Sequence, residues 1–201
     1  MKIAILVEGK TELAFKSHLL NFLKTRLAGA MPKLDFIPYD GRIPSEARLK
    51  SVVKNYLLKD KYDAVIALTD VYTGTHDFKS AADAKQKMLE WVGSIPHFYP
   101  HVANHDFEAW LLPYWSDIQK LSGHNKGVPG KHPEQVNLNK PPSYHIKEMF
   151  ISGKQKRRYK KPRDAHRILK DKDLLISAKA CPELKAFLNR ILQLCDGELI
   201  P

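Results

Sequence analysis

The sequence predicts an α/β fold, a Rossmann-like parallel sheet with a helical C-terminal extension. Two observations carry that expectation. KIAILV at 2–7 and AVIALT at 64–69 are short uninterrupted apolar runs, the character of strands buried on both faces. Between them lie segments whose apolar residues recur at helical spacing. The resulting rhythm of strand, helix, strand, helix, strand belongs to a parallel sheet with right-handed crossovers.

The first strand ends at Val7. Phe15, Leu19, Phe22, Leu23 and Leu27 then mark a helix, with Gly29 as a stop signal. LDFIPY at 34–39 reads as a second strand. After Pro44-Ser45, a second helix carries Leu49, Val52, Val53, Tyr56 and Leu57. The third strand, 64–69, ends at Asp70. A loop rich in Thr, Gly and Asp over 70–78 leads to a helix over about 80–92. HFYPHVA at 97–103 is a fourth strand, and Pro100 argues for an edge position. HDFEAWLL at 105–112 begins a further helix. Gly123, Gly127, Gly130 and several prolines make 123–142 a long irregular connection, a length usually tied to function or motion. Helices follow near 142–150, 162–171 and 182–194. The chain thus divides into an α/β domain at 1–122 and an irregular loop with a helical extension at 123–201, packed on the same domain.

The 201 residues suffice for a proper core, and 43% apolar with 27% charged is ordinary for a globular protein. No apolar run approaches the ~20 residues that span a bilayer, and the start reads as a strand rather than a signal peptide, so no membrane role is expected. Cys181 and Cys195 are 14 positions apart, ~21 Å along a helix, against the ~7 Å limit for a disulfide. Two free thiols and a reducing, cytoplasmic compartment follow. Lys plus Arg exceed Asp plus Glu by 33 to 22, a net charge of +11, which suits a polyanionic partner.

In an open parallel sheet, ligands bind beyond the C-terminal strand ends. Glu8 and Asp70 stand at two such ends, and Glu108 lies just past a third. Each alone is equally a cap or a loop residue. Together they would repel one another unless a cation or a proton intervenes. Hard oxygen donors suit Mg²⁺ or Mn²⁺, which support phosphodiester hydrolysis. Gly9-Lys10-Thr11 is not a phosphate-binding loop, because that motif needs a glycine at position 4, where Ala stands.

The stretch VEGKTE at 7–12 resembles the signature of toprim domains, in the form found in OLD-type nucleases. LTDVYTGTHDF (68–78), HDFEAWLL (105–112), PPSYHI (141–146), YKKPRDA (159–165) and CPELKAFL (181–188) resemble, in order, the blocks of a bacterial family, domain of unknown function 4276, considered toprim-like. The resemblance covers nearly the whole chain. It implies Glu8 as metal ligand or general base, Glu12 as a second acid supporting metal, and Asp70 as the first acid of the toprim D-x-D. Tyr72 stands where the second acid belongs. Asp77 could substitute, or Glu108 with His105 and Asp106 nearby. The resemblance also implies an ATPase partner of the ABC or AAA type and a part in phage defence.

His97, His101 and His105 recur every four residues, but Pro100 and the lack of nearby cysteine favour surface or loop histidines over a zinc site. His105, beside Glu108, is a candidate acid, base or phosphate contact. Seven of the ten residues from 154 to 163 are cationic. Lys154, Lys156, Arg157, Arg158, Lys160 and Lys161, with Tyr159 to stack on a base, form a candidate surface for DNA or RNA, and Lys10 beside Glu8 joins them. A solvated loop, or a dock for an acidic partner, is the competing reading of the run. Two functions follow as expectations. One is a Mg²⁺-dependent toprim-like nuclease with Glu8, Asp70, Glu108 and His105 in catalysis. The other is a non-catalytic toprim-like subunit that binds nucleic acid or an ATPase.

Overall fold

The computed structural model describes residues 1–71, 78–136, 140–154 and 156–201. Strands β1 (Lys2–Val7), β2 (Lys33–Pro38), β3 (Ala64–Val71) and β4 (Phe98–Asn104) form one sheet in the order β2-β1-β3-β4. Every pairing is parallel. β3 is buried throughout and β1 nearly so, which explains their lack of polar alternation. Ile3, Ile5, Val7, Ile66 and Leu68 face one apolar cluster, while Ala4, Leu6, Val65, Ala67 and Val71 face another. Pro100 lies on the edge strand β4, the position its missing N–H permits.

Helices cover both faces. Helix α1 (Lys10–Lys24) lies on the first, burying Phe15, Leu19, Phe22 and Leu23. Helices α2 (Glu46–Leu58) and α3 (Ala81–Val92) cover the second through Leu49, Val53, Ala84, Met88 and Val92. After β4 the chain makes a 3-10 helix over Phe107–Tyr114, then α4 (Trp115–Ser122), α5 (Pro142–Ser152), α6 (Lys161–Leu169), α7 (Leu174–Ala180) and α8 (Pro182–Leu194). This is an α/β Rossmann-like fold with a helical C-terminal part, as the sequence predicts.

Two elements differ from the sequence reading. The helix expected from 105 begins at Phe107 and is of the 3-10 type, and Pro113 inside it has no N–H for a regular ladder. Helix α7 was not anticipated. It has seven residues, too few to show a clear period, and forms under the cap of Asp173, whose side chain accepts from the Leu175 N–H at 2.9 Å.

The C-terminal helices share the α1-side core. Leu184, Phe187, Leu188, Ile191 and Leu192 of α8 are buried in one cluster with β1, β3 and Trp110. Each such side chain is worth about 1.5–3 kcal/mol when fully buried. Phe187 meets His101 of β4 edge-on at 5.7 Å and stacks on Trp110. Glu134 ties these parts together. Its carboxylate accepts from Trp110 Nε1 at 3.2 Å and from the Glu183 N–H at the start of α8 at 3.1 Å. Both cysteines are free thiols. Among the described residues, no helix is long and apolar enough to cross a membrane.

Candidate functional site

Strand order reverses between β1 and β3, since the chain runs from β1 out to β2 and returns on the far side of β1. A crevice opens beyond the strand ends at such a point. Register brings the acids there. Val7 is level with Leu68, so the next residue, Glu8, falls beside Thr69 and Asp70. Glu8 Oε1 accepts a hydrogen bond from the Thr69 hydroxyl and another from the Asp70 N–H at 3.1 Å. Asp70 is level with Ala103 of β4. The chain leaving β4 therefore delivers Asp106 and Glu108 to the same edge.

Five carboxylates meet in this region. Glu12 stands in the first turn of α1, and Asp106 and Glu108 stand at the cap and first turn of the 3-10 helix. Asp106 and Glu108 are wholly buried. Burial, then the charges of Glu8, Glu12, Asp106 and Glu108, raise Asp70 well above the usual carboxylate range. Burial raises Glu8 despite the Thr69 and Asp70 hydrogen bonds, and Glu12 pushes it further. Glu12 is raised by burial and by Glu108. Glu108 is pushed up to about 7 by burial and by Asp106, against the pull of Lys161. Asp106 is raised by burial, against its hydrogen bonds to Ser143. Every one of these shifts favours a proton or a cation over bare negative charge.

Positive charge is already drawn in. Lys161, first residue of α6, places its Nζ 3.1 Å from Glu108 Oε2. Burial alone would lower this ammonium, but Glu108, Asp106 and Asp70 outweigh that and leave it raised. The Tyr159 hydroxyl stands 3.5 Å from Glu108 Oε1. The Ser143 N–H, in the first turn of α5, donates to Asp106 Oδ2 at 3.1 Å. The N-termini of α1, α5, α6 and the 3-10 helix thus all contribute to the acid edge, each presenting partial positive charge.

Two oxygens in the cluster stay unmatched. Glu12 Oε2 and Asp106 Oδ1 are buried without a hydrogen-bond partner among the described residues. They are hard donors of the kind Mg²⁺ and Mn²⁺ take. As placed, no three His, Cys, Asp or Glu side chains among the described residues converge closely enough to chelate one ion. The acids lie within electrostatic reach of one another, and a cation would have to draw them together.

The other candidates separate. Asp77 and Tyr72 lie outside the described residues. His105 is buried at φ 70°, its imidazole lowered by burial and hydrogen-bonded with the backbone of Glu134. His101 is buried too, and burial, Arg190 and Lys85 lower it to about 3. The surface-or-loop reading therefore holds for exposed His97 but not for its two partners, which the β4 register carries into the core. The basic run also divides. Arg157 and Arg163 both pair with buried Asp164, and Arg157 lies over the Phe150 ring at 4.3 Å. Tyr159 is 8% exposed and packs on Phe150 at 5.4 Å, so its ring serves the core and offers no open platform for a base. Lys154, Lys156, Arg158 and Lys160 are exposed, as is Lys10 at the start of α1.

Asp106 carries more of the site than its sequence position indicates. The signal available was its place two residues before Glu108, directly after a strand. Thr69, the donor to Glu8, precedes Asp70 and gave no such signal. A family model described as a domain of unknown function, DUF4276, matches residues 7–192. No curated protein and no solved structure matches the chain.

Proposed function

The chain belongs to the DUF4276 family, and from that premise we propose that it is a Mg²⁺- or Mn²⁺-dependent, toprim-like nuclease that hydrolyses phosphodiester bonds of DNA or RNA. One observation carries the reading. Five carboxylates from β1, α1, β3 and the segment after β4 crowd the strand-order reversal, and all five are raised toward protonation. A bound cation would relieve such repulsion, and buried groups with strongly perturbed pKa values gather at functional sites. The orphaned oxygens of Glu12 and Asp106 support the same reading.

Glu8 and Asp70 would hold the ion, with Glu12, Asp106 and Glu108 as further oxygen donors. Bound there, a divalent ion supplies positive charge against the transition-state phosphate and lowers the pKa of its water. On this reading Glu8, whose Oε1 accepts from Thr69 and the Asp70 N–H, would take a proton from an attacking water. Lys161 and the helix N-termini at the edge would, on the same reading, bind phosphate oxygens. Exposed Lys10, Lys156, Arg158 and Lys160 extend this positive character along the rim, as a nucleic-acid backbone requires. Two free thiols fit the cytoplasm. An ATPase of the ABC or AAA type is the partner the family resemblance suggests, and phage defence the setting.

A non-catalytic subunit that binds nucleic acid or an ATPase is the second reading. It is favoured by Lys161, which already occupies Glu108, and by Tyr72 at the expected position of an acid. The deciding experiment measures cleavage of DNA and RNA with Mg²⁺ or Mn²⁺, beside calorimetric titration of each metal. Wild type should bind the ion and cleave, while equally folded Glu8→Gln and Asp70→Asn lose ~10²-fold or more in rate. Cleavage undiminished in both variants would reject the site. A protein that binds no divalent ion, with or without nucleic acid, would leave only the second reading.

A further inference from the structure

A cavity of about 550 Å³ opens between the start of α2 and the outer face of α3. Thr69 lines it, and the same Thr69 hydroxyl is hydrogen-bonded to Glu8. Arg42 lines it as well and acts electrostatically on Glu8. Thr69 is therefore common to the cavity and the acid edge. Its walls are unlike that edge. Phe78 and Trp91, both half-buried, stand 5.9 Å apart with their ring planes inclined by 42°. Lys87 lies 5.8 Å over the Phe78 ring, steadied by Asp83 at 3.1 Å, and Glu90 stands at the rim.

We propose that this cavity is a nucleobase subsite, taking the purine or pyrimidine ring of a nucleotide whose phosphate lies at Glu8 and Asp70. The proposal rests on the phosphodiester reading of that edge and names what the edge holds on to. The volume lies in the range of small-molecule pockets. Aromatic faces offer stacking to any base. Arg42, Lys87 and Glu90 give the lining cationic and carboxylate groups, a polar composition that suits a heterocycle and does not suit an acyl chain. Arg42, which lines the cavity and acts through its charge on Glu8, would attract the connecting phosphate. Tyr159, the aromatic that the sequence offers for stacking, is used in the core. Phe78 and Trp91 supply that function instead.

The test is binding of the four nucleoside monophosphates against ribose 5-phosphate, by calorimetry and tryptophan fluorescence in the presence of Mg²⁺. Trp110 and Trp115 are 1% and 8% exposed, so Trp91 is the tryptophan open to a ligand. Nucleoside monophosphates should quench it saturably, and ribose 5-phosphate should not. Trp91→Leu and Phe78→Leu, each checked by thermal unfolding, should weaken calorimetric affinity about tenfold. If one variant does not fold, the other decides. Equal binding of ribose 5-phosphate, or unchanged affinity in a folded variant, would overturn the subsite and leave the acid edge standing. Base-dependent binding alongside full cleavage by Glu8→Gln would overturn the acid edge and leave the subsite standing.

Discussion

Glu108 shows how one residue sets the pH behaviour of the edge. Its folded pKa, about 7, lies above the ordinary 4.5 because it is buried beside Asp106. The folded state therefore holds its proton more tightly than the unfolded chain does. That contribution is full below pH 4.5 and is lost as pH rises through 7. Its size is on the order of 3 kcal/mol. Glu108→Gln keeps the shape and removes the titration. In urea unfolding without divalent ions, the variant should gain stability relative to wild type between pH 5 and pH 8. Millimolar Mg²⁺ should narrow the gap at pH 8, since a bound cation performs the same neutralisation. A difference constant with pH would show that Glu108 titrates normally.

At the scale of elements, the segment leading into α6 combines two functions. Asp164, wholly buried, takes Arg157 at 2.7 Å and the Lys160 N–H at 2.8 Å, which fixes the helix start that delivers Lys161. The exposed lysines and Arg158 hang on that frame. Replacing Lys154, Lys156 and Arg158 together by Gln should weaken nucleic-acid binding at low salt. It should also reduce the slope of log affinity against log salt by about 2–3. Arg157→Gln should instead cost ~1–3 kcal/mol in stability, because it removes one partner of a buried charge. Equal slopes in the triple variant and wild type would assign the cations to a protein partner.

The same segment marks how far the sequence could be read. Strands and long helices were legible because burial on both faces and helical periodicity leave patterns in a single stretch of chain. The acids Glu8, Asp70 and Glu108 stood out because each lies at or just past the C-terminal end of a strand. The inward turn of Arg157, Tyr159 and Lys161 was not, since a run of cations looks the same whether it faces water or a buried carboxylate. Asp164, the residue that decides the matter, is a lone acid at the end of the run. Helix α7 was too short to show a period, and the burial of His101 and His105 depended on strand register.

On the scale of the whole molecule, one face of the sheet is shared by the earliest and latest parts of the chain. Ile3 and Ile5 of β1 lie in the same cluster as Phe187, Leu188 and Ile200. A fragment ending at residue 153 keeps all four strands and all five acids but lacks α6, α7 and α8. It should expose the α1-side face, bind hydrophobic dyes and fail to unfold cooperatively in urea. A cooperative, soluble fragment would show that the strands and first helices suffice. The ion pair between Lys161 and Glu108 makes the order of synthesis matter. A nascent chain carries its whole set of acids well before the ammonium that restrains them has left the ribosome. Until that partner arrives the acids stand as mutually repelling charge, so the edge takes its settled form only once Lys161 has docked on Glu108.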